Sequence, residues 1–211
     1  MNILLVHGMG RTPASMFRLG AALRRAGHRT AYFGYMPTFQ SLAGILARLT
    51  RRLRQLASLK EPVGLAAHSL GGLLLRKALL DVPELRVRRL AMMGTPNRPP
   101  RLAAYFWRWR LFRALTRDCG RFLASADAIP AIPPPTVPYT LIAGTRSSFH
   151  SRLAFGDEPN DGIVAVSETR IRDADQPLTF PAIHSFIMDD RAVQRAVIAA
   201  MMTAHPDLSP S

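Results

Sequence analysis

The stretch from Val63 to Leu75, VGLAAHSLGGLLL, restricts the fold more than any other part of the chain. Val63–Ala67 is a run of small or branched apolar residues without polar alternation, the pattern of a strand covered on both faces. His68 and Ser69 follow, then Leu70, Gly71, Gly72 and the apolar helical run Leu73–Leu75. A chain passing so abruptly from buried strand to helix must turn sharply at Ser69. That turn strains the serine and leaves its hydroxyl exposed at the carboxyl end of a sheet. Gly71 and Gly72 let the helix pack close to the strand. The helix aims its amino end at the same spot, where backbone N–H groups and the helix dipole favour negative charge. These are the requirements of an activated serine nucleophile.

The remaining chain supplies a sheet for this turn. Asn2–Val6 reads as a first strand, and His7-Gly8-Met9-Gly10 stands where a strand-to-helix loop belongs. Thr12 and Pro13 suit an N-cap and first helical position, opening a helix to about Ala26. Arg29–Gly34 reads as a second strand, and Pro37–Leu59 as a long helix with leucine and isoleucine at helical spacing and a solvated arginine face. Arg89–Met93 is a fourth strand closing in Gly94-Thr95-Pro96-Asn97, Tyr139–Ala143 a fifth, and Pro177–Phe180 the last. Asp189 or Asp190 caps a final helix, and the tail from His205 is expected to fray. Strands alternating with helices in this rhythm predict one α/β domain over residues 1–211, with about six mostly parallel strands and helices on both faces.

The rhythm breaks over residues 98–135. Two proline clusters there flank an arginine- and aromatic-rich segment that includes LAAYFWRWRLFRAL at Leu102–Leu115. On one continuous helix, Leu102, Tyr105, Phe106, Trp109 and Phe112 would share a face, with Arg113 intruding. The segment is an insert in the α/β rhythm that could cover an apolar pocket, lie on an anionic membrane surface, or pack on the domain with basic edges.

Composition sets outer limits. The chain has 211 residues and a formal charge of +14; Lys60 and Lys77 are the only lysines, and the other basic residues are arginines. The arginines are spread along nearly the whole chain with no nucleic-acid motif, so nucleic acid is not the expected partner. No apolar run reaches the ~18 residues of a membrane-spanning helix. The single Cys119 excludes an internal disulfide framework, and the start MNILLVHG shows no signal-peptide pattern; a cytoplasmic protein is expected. No histidine, cysteine or carboxylate cluster has metal-ligand spacing, so neither a catalytic metal nor a cofactor is expected.

A serine hydroxyl needs a histidine to take its proton, and that histidine needs an acid to fix its tautomer. The order Ser69, Asp161, His184 supplies these groups, each in a loop at the carboxyl end of a strand, where such sheets build their sites. Each has an ordinary alternative. Ser69 could be a helix N-cap, His184 a satisfied loop histidine and Asp161 a turn residue, with Asp157 as the competing acid. His7 and His68 suit orienting hydrogen bonds to the loop and the turn, and His150 reads as an exposed loop residue.

With these motifs the chain resembles a small α/β-hydrolase of the lipase and esterase type. It is similar to the compact bacterial triacylglycerol lipases and to the esterases that resemble inositol deacylases. The resemblance rests on VHGMG at Val6–Gly10, AHSLGG at Ala67–Gly72, GTPN at Gly94–Asn97, NDGIV at Asn160–Val164 and the lone His184. It implies a minimal α/β-hydrolase fold, an oxyanion hole from the backbone N–H groups of Met9 and Leu70, and Asp161 as the acid. His7, Gly8, His68 and Gly71 would support them. Two departures stand out. Ala67 replaces the first glycine of G-x-S-x-G, and the chain starts at the strand that usually comes third. The expected function is hydrolysis of a carboxylic ester of a small molecule or lipid through an acyl-enzyme, with thioesters open to the same machinery. The competing expectation is a non-catalytic protein of the same fold that binds a membrane or partner through its basic aromatic insert.

Overall fold

The computed structural model describes residues 1–147 and 152–203; His150 and the tail from His205 lie outside the described residues. Six strands form one sheet: β1 (Asn2–Val6), β2 (Arg29–Phe33), β3 (Val63–His68), β4 (Val87–Met93), β5 (Tyr139–Gly144) and β6 (Leu178–Phe180). Their spatial order is β2-β1-β3-β4-β5-β6, and every pairing is parallel. The chain first steps from β1 outward to β2, then crosses back to β3 and builds in the other direction. The order therefore reverses between β1 and β3. Adjacent strands there send their following loops to opposite faces and leave a crevice at their carboxyl ends.

Side-chain alternation divides the core into two layers. Leu4, Val6, Leu65, Ala67, Leu90 and Met92 face helices α2 (Leu42–Ala57), α3 (Leu70–Leu79) and α5 (Arg110–Ala124). Ile3, Leu5, Ala66, Ala91 and Met93 face α1 (Phe17–Arg25) and α8 (Arg191–Met202). Every residue of β3 is buried, so each of its larger apolar side chains contributes roughly 1.5–3 kcal/mol. No helix among the described residues is long and apolar enough to cross a membrane.

Several boundaries differ from the sequence expectation. The first helix opens as a 3-10 turn over Pro13–Met16 before α1 begins. The helix expected from Pro37 starts at Leu42. Ser41 caps it by accepting from Gly44 N–H, while Phe39 and Gln40 N–H turn back onto Met36 carbonyl. The insert is not one helix. It forms α4 (Arg101–Phe106), a break at Trp107–Trp109, and α5, whose own course bends at Arg117 with φ 45°. Tyr105, Phe106, Trp109 and Phe112 nevertheless meet, their ring centroids 5.2–5.8 Å apart, because the break folds the two helices together. Two short helices, α6 (Arg152–Phe155) and α7 (Val166–Thr169), complete the loop region between β5 and β6.

Candidate active site

Ser69 is the only residue between β3 and α3, and it adopts φ 51°, ψ −126°. A non-glycine residue with positive φ stores strain that its surroundings must hold. Here Ser69 N–H donates to Met93 carbonyl at 2.9 Å, and its own carbonyl accepts from the Thr95 hydroxyl at 3.1 Å. Both anchors lie at the carboxyl end of β4. Close approach of α3 secures the other side: a Cβ on Gly71 would stand 2.5 Å from His7 carbonyl oxygen and 2.7 Å from that of Val6. The turn is thus clamped between β1 and β4.

His184 begins the 3-10 turn after β6, and Asp161 lies in the loop after β5. The structure brings both to Ser69. His184 Nε2 is 3.0 Å from Ser69 Oγ, and His184 Nδ1 is 2.7 Å from Asp161 Oδ2. Asp161 Oδ1 accepts from Ile163 N–H at 3.0 Å and Val164 N–H at 2.7 Å. Asp161 and His184 are buried, whereas Ser69 is part-exposed. With its carboxylate partner on Nδ1, the neutral imidazole carries its proton there. Nε2 is left to accept from the serine hydroxyl. Asp157 is exposed and makes no hydrogen bond to this histidine.

The loop after β1 forms the facing wall. His7 is buried and stacked on Tyr35, centroids 4.3 Å apart. Its Nε2 accepts from Tyr35 N–H at 3.2 Å, which requires the neutral ring, and its Nδ1 donates to Gly8 carbonyl at 2.8 Å. Tyr35 hydroxyl donates to His7 carbonyl at 3.0 Å and closes the arrangement. Burial lowers the His7 pKa despite the Gly8 hydrogen bond. Met9 follows, half-buried against the core, and Leu70 opens α3. Neither residue's N–H has a hydrogen-bond acceptor among the described residues.

His68 departs from expectation. It makes no hydrogen bond to the turn, and both ring nitrogens are buried without partners among the described residues. Its ring packs instead against His184, centroids 4.8 Å apart, and beneath Gly8, where a Cβ would stand 2.6 Å from Nδ1. Burial first, then the neighbouring His184, hold its pKa well below the ordinary value. Gly8 is therefore a close-approach glycine, and His68 a packed neutral ring.

Sequence reasoning missed several supports. Tyr35 had no motif to mark it. Glu168 is buried and accepts from Arg101 N–H, Arg101 Nε and Ala165 N–H at 2.9–3.0 Å; Arg101 also reaches Glu158 at 2.6 Å. These bonds join the start of the insert to the loop carrying Asp161. Arg76 is buried with neutral acceptors, Asn97 Oδ1 at 2.9 Å and Ile132 carbonyl at 2.7 Å, and burial pushes its pKa down to about 10. Asn97, visible in the GTPN motif, donates onward to Thr169 carbonyl at 2.7 Å. A cavity of about 510 Å³ lined by Arg89, Tyr139 and Leu178 lies at the opposite, amino end of the strands, away from Ser69.

A parallel sheet with a strained serine after β3 and a histidine–carboxylate pair at the same rim defines the α/β-hydrolase class of architecture. The family model described as the alpha/beta hydrolase family matches residues 3–209, and the chain belongs to that family. No curated protein sequence matches it at a significant level. Among solved structures it is similar to the mature Bacillus licheniformis lipase BlEst2, with 19% identity, TM-score 0.78, and coverage of 96% of this chain and 92% of that one. It is also similar to one of the metagenome-derived lipolytic enzymes LipS and LipT (14%, TM-score 0.66, 95% and 92% covered). The phospholipase PlaB from Legionella pneumophila aligns at 13% identity and TM-score 0.69, over 99% of this chain and 61% of the phospholipase. At these identities the likeness is one of fold. Family and neighbours together support a hydrolase.

Proposed function

We propose that this chain is a serine hydrolase that cleaves carboxylic esters through an acyl-enzyme. One observation carries the reading: the unbroken hydrogen-bond line from Asp161 through His184 to Ser69. Ser69 Oγ attacks the ester carbonyl carbon while His184 Nε2 takes its proton, and Asp161 stabilises the resulting imidazolium. The carbonyl oxygen becomes an oxyanion that the N–H groups of Met9 and Leu70 receive; one such donor is worth on the order of 10²–10³ in turnover. Collapse expels the alcohol, which takes the proton from His184. Water, deprotonated by the same nitrogen, then releases the acid and restores Ser69.

An apolar acyl group or lipid suits the surroundings. Ile163, Ile183 and Phe186, all close in sequence to Asp161 or His184, are exposed, and residues 98–135 serve as a lid-like insert of aromatic character. Thioesters fall within the same chemistry. The test is labelling with a fluorophosphonate probe, mapped by peptide mass, beside turnover of p-nitrophenyl esters of graded chain length. Label on Ser69 and activity lost in Ser69→Ala are expected. A folded protein that is neither labelled nor active would leave only the non-catalytic reading, binding through the insert.

A further inference from the structure

We propose that the chain docks on anionic lipid bilayers through a patch built from two segments at the carboxyl end of the sheet, the loop Met36–Gln40 and the insert around α5. Large apolar side chains are exposed on both. Phe39 is 78% and Leu111 70% exposed, and Met36, Trp109 and Leu115 are about half exposed. Scattered exposed apolar residues are normal, but a contiguous set marks an interaction surface. The two segments are contiguous here. Thr38 hydroxyl donates to Leu115 carbonyl at 2.7 Å, and the Arg117 guanidinium donates to Thr38 carbonyl at 3.3 Å. Tyr105 and Trp109 stand edge-on at 5.8 Å, a pair of amphipathic rings suited to headgroup depth.

The charge selects the occupant. Between Arg101 and Ala124 stand six arginines and one acid, Asp118. Arg101 is taken by Glu158 and Glu168, but Arg108, Arg110, Arg113, Arg117 and Arg121 have no ion-pair partner among the described residues. A second copy would bring the same cations face to face on a chain of formal charge +14. Protruding apolar tips interleaved with flexible cations suit a fluid, negatively charged surface, which demands no fixed shape complementarity. Both segments follow strands at the end of the sheet that carries Ser69, so docking turns that end toward the bilayer. Binding is independent of the hydrolase reading and is measured without turnover.

The experiment is co-sedimentation of the full chain with phosphatidylcholine vesicles, with and without phosphatidylglycerol, alongside tryptophan emission. Binding and a blue shift are expected only with phosphatidylglycerol. The triple variant Arg108→Glu, Arg110→Glu, Arg113→Glu should weaken binding on the order of 100-fold, at about fivefold or more per arginine. Phe39→Ser with Leu111→Ser should weaken it about tenfold or more while leaving the charge intact. Arg25→Glu, Arg29→Glu, Arg54→Glu, an equal charge change at exposed positions toward the amino end of the sheet, should cost far less. Thermal melts confirm that each variant folds. Wild-type protein that ignores phosphatidylglycerol vesicles overturns the proposal whatever the variants do. So do equal losses in the two triple variants, which would mean unspecific attraction, or an unaffected apolar pair, which would fit an acidic protein partner instead.

Discussion

Asp161 and His184 are joined twice, by side chain and by main chain. Asp161 Oδ2 lies 2.7 Å from His184 Nδ1, and His184 N–H donates to Asp161 carbonyl at 2.9 Å. The second bond fixes the backbone of one loop against the other, so the carboxylate is not free to drift from the ring. The other carboxylate oxygen is committed to Ile163 and Val164 N–H. Asp161 can therefore serve His184 in only one orientation, which keeps Nε2 bare toward Ser69.

Asp161→Asn preserves this shape but removes the charge and lets the imidazole take the other tautomer. Turnover of p-nitrophenyl butyrate is expected to fall by on the order of 10⁴. Asp157→Asn, in the exposed part of the same loop, should leave it unchanged. Comparable losses in both variants would show that Asp161 has no special part.

Gly71 sets how near α3 comes to β1. A methyl there would stand 2.5 and 2.7 Å from two main-chain oxygens, and main chain cannot swing aside as a side-chain tip can. Gly71→Ala should cost about 1–3 kcal/mol in urea unfolding. It should also lower kcat, because the helix that carries Leu70 N–H must move away from the loop that carries Met9. Unchanged stability with unchanged turnover would mean that the crevice tolerates a wider gap.

The parts of this fold legible in the sequence are those where one local pattern decides the outcome. Val63–His68 is buried on both faces, so its apolar run needed no knowledge of its neighbours. The start of α2 is decided at Ser41 rather than at Pro37, because the Ser41 hydroxyl caps the helix while Phe39 and Gln40 N–H close a separate turn onto Met36 carbonyl, a competition that proline as a helix-start signal does not reveal. The break at Trp107–Trp109 was invisible for a related reason: i, i+3 aromatic spacing is satisfied both by one helix and by two folded on each other. Tyr35 and Glu168 act on residues remote in sequence, His7 and Arg101, and no short motif encodes such a contact. The hydrogen bond to the turn that the sequence suggests for His68 is not made, because the ring is enclosed under Gly8 and beside His184.

Glu168 joins the insert to the loop that carries Asp161. Its side chain takes three donors, two of them main-chain N–H groups, in a buried position. Glu168→Ala leaves those amides unpaired at roughly 1–3 kcal/mol each, with solvent relieving part of the cost at Arg101. We expect a loss of about 2–4 kcal/mol in urea unfolding. Faster hydrogen exchange should appear in residues 158–168 and 98–106 together. Exchange confined to one of the two segments would show that they are not coupled through this carboxylate.

Acid should destabilise the protein through its buried histidines. His68 and His7 both have pKa values lowered from 6.5, burial outweighing the backbone carbonyl beside each ring, that of His184 for His68 and of Gly8 for His7. The unfolded chain takes up those protons near pH 6.5, while the folded chain resists until a lower pH. The unfolded state therefore binds more protons in that interval. Stability is full above pH 6.5 and declines as the pH falls below it, by up to about 1.4 kcal/mol per pH unit for each histidine. Urea midpoints at pH 7, 6 and 5 measure this. His68→Gln should remove one histidine's share of the slope, whatever it does to absolute stability. A slope identical to wild type in that variant would mean that His68 is protonated as readily in the folded chain as in the unfolded one.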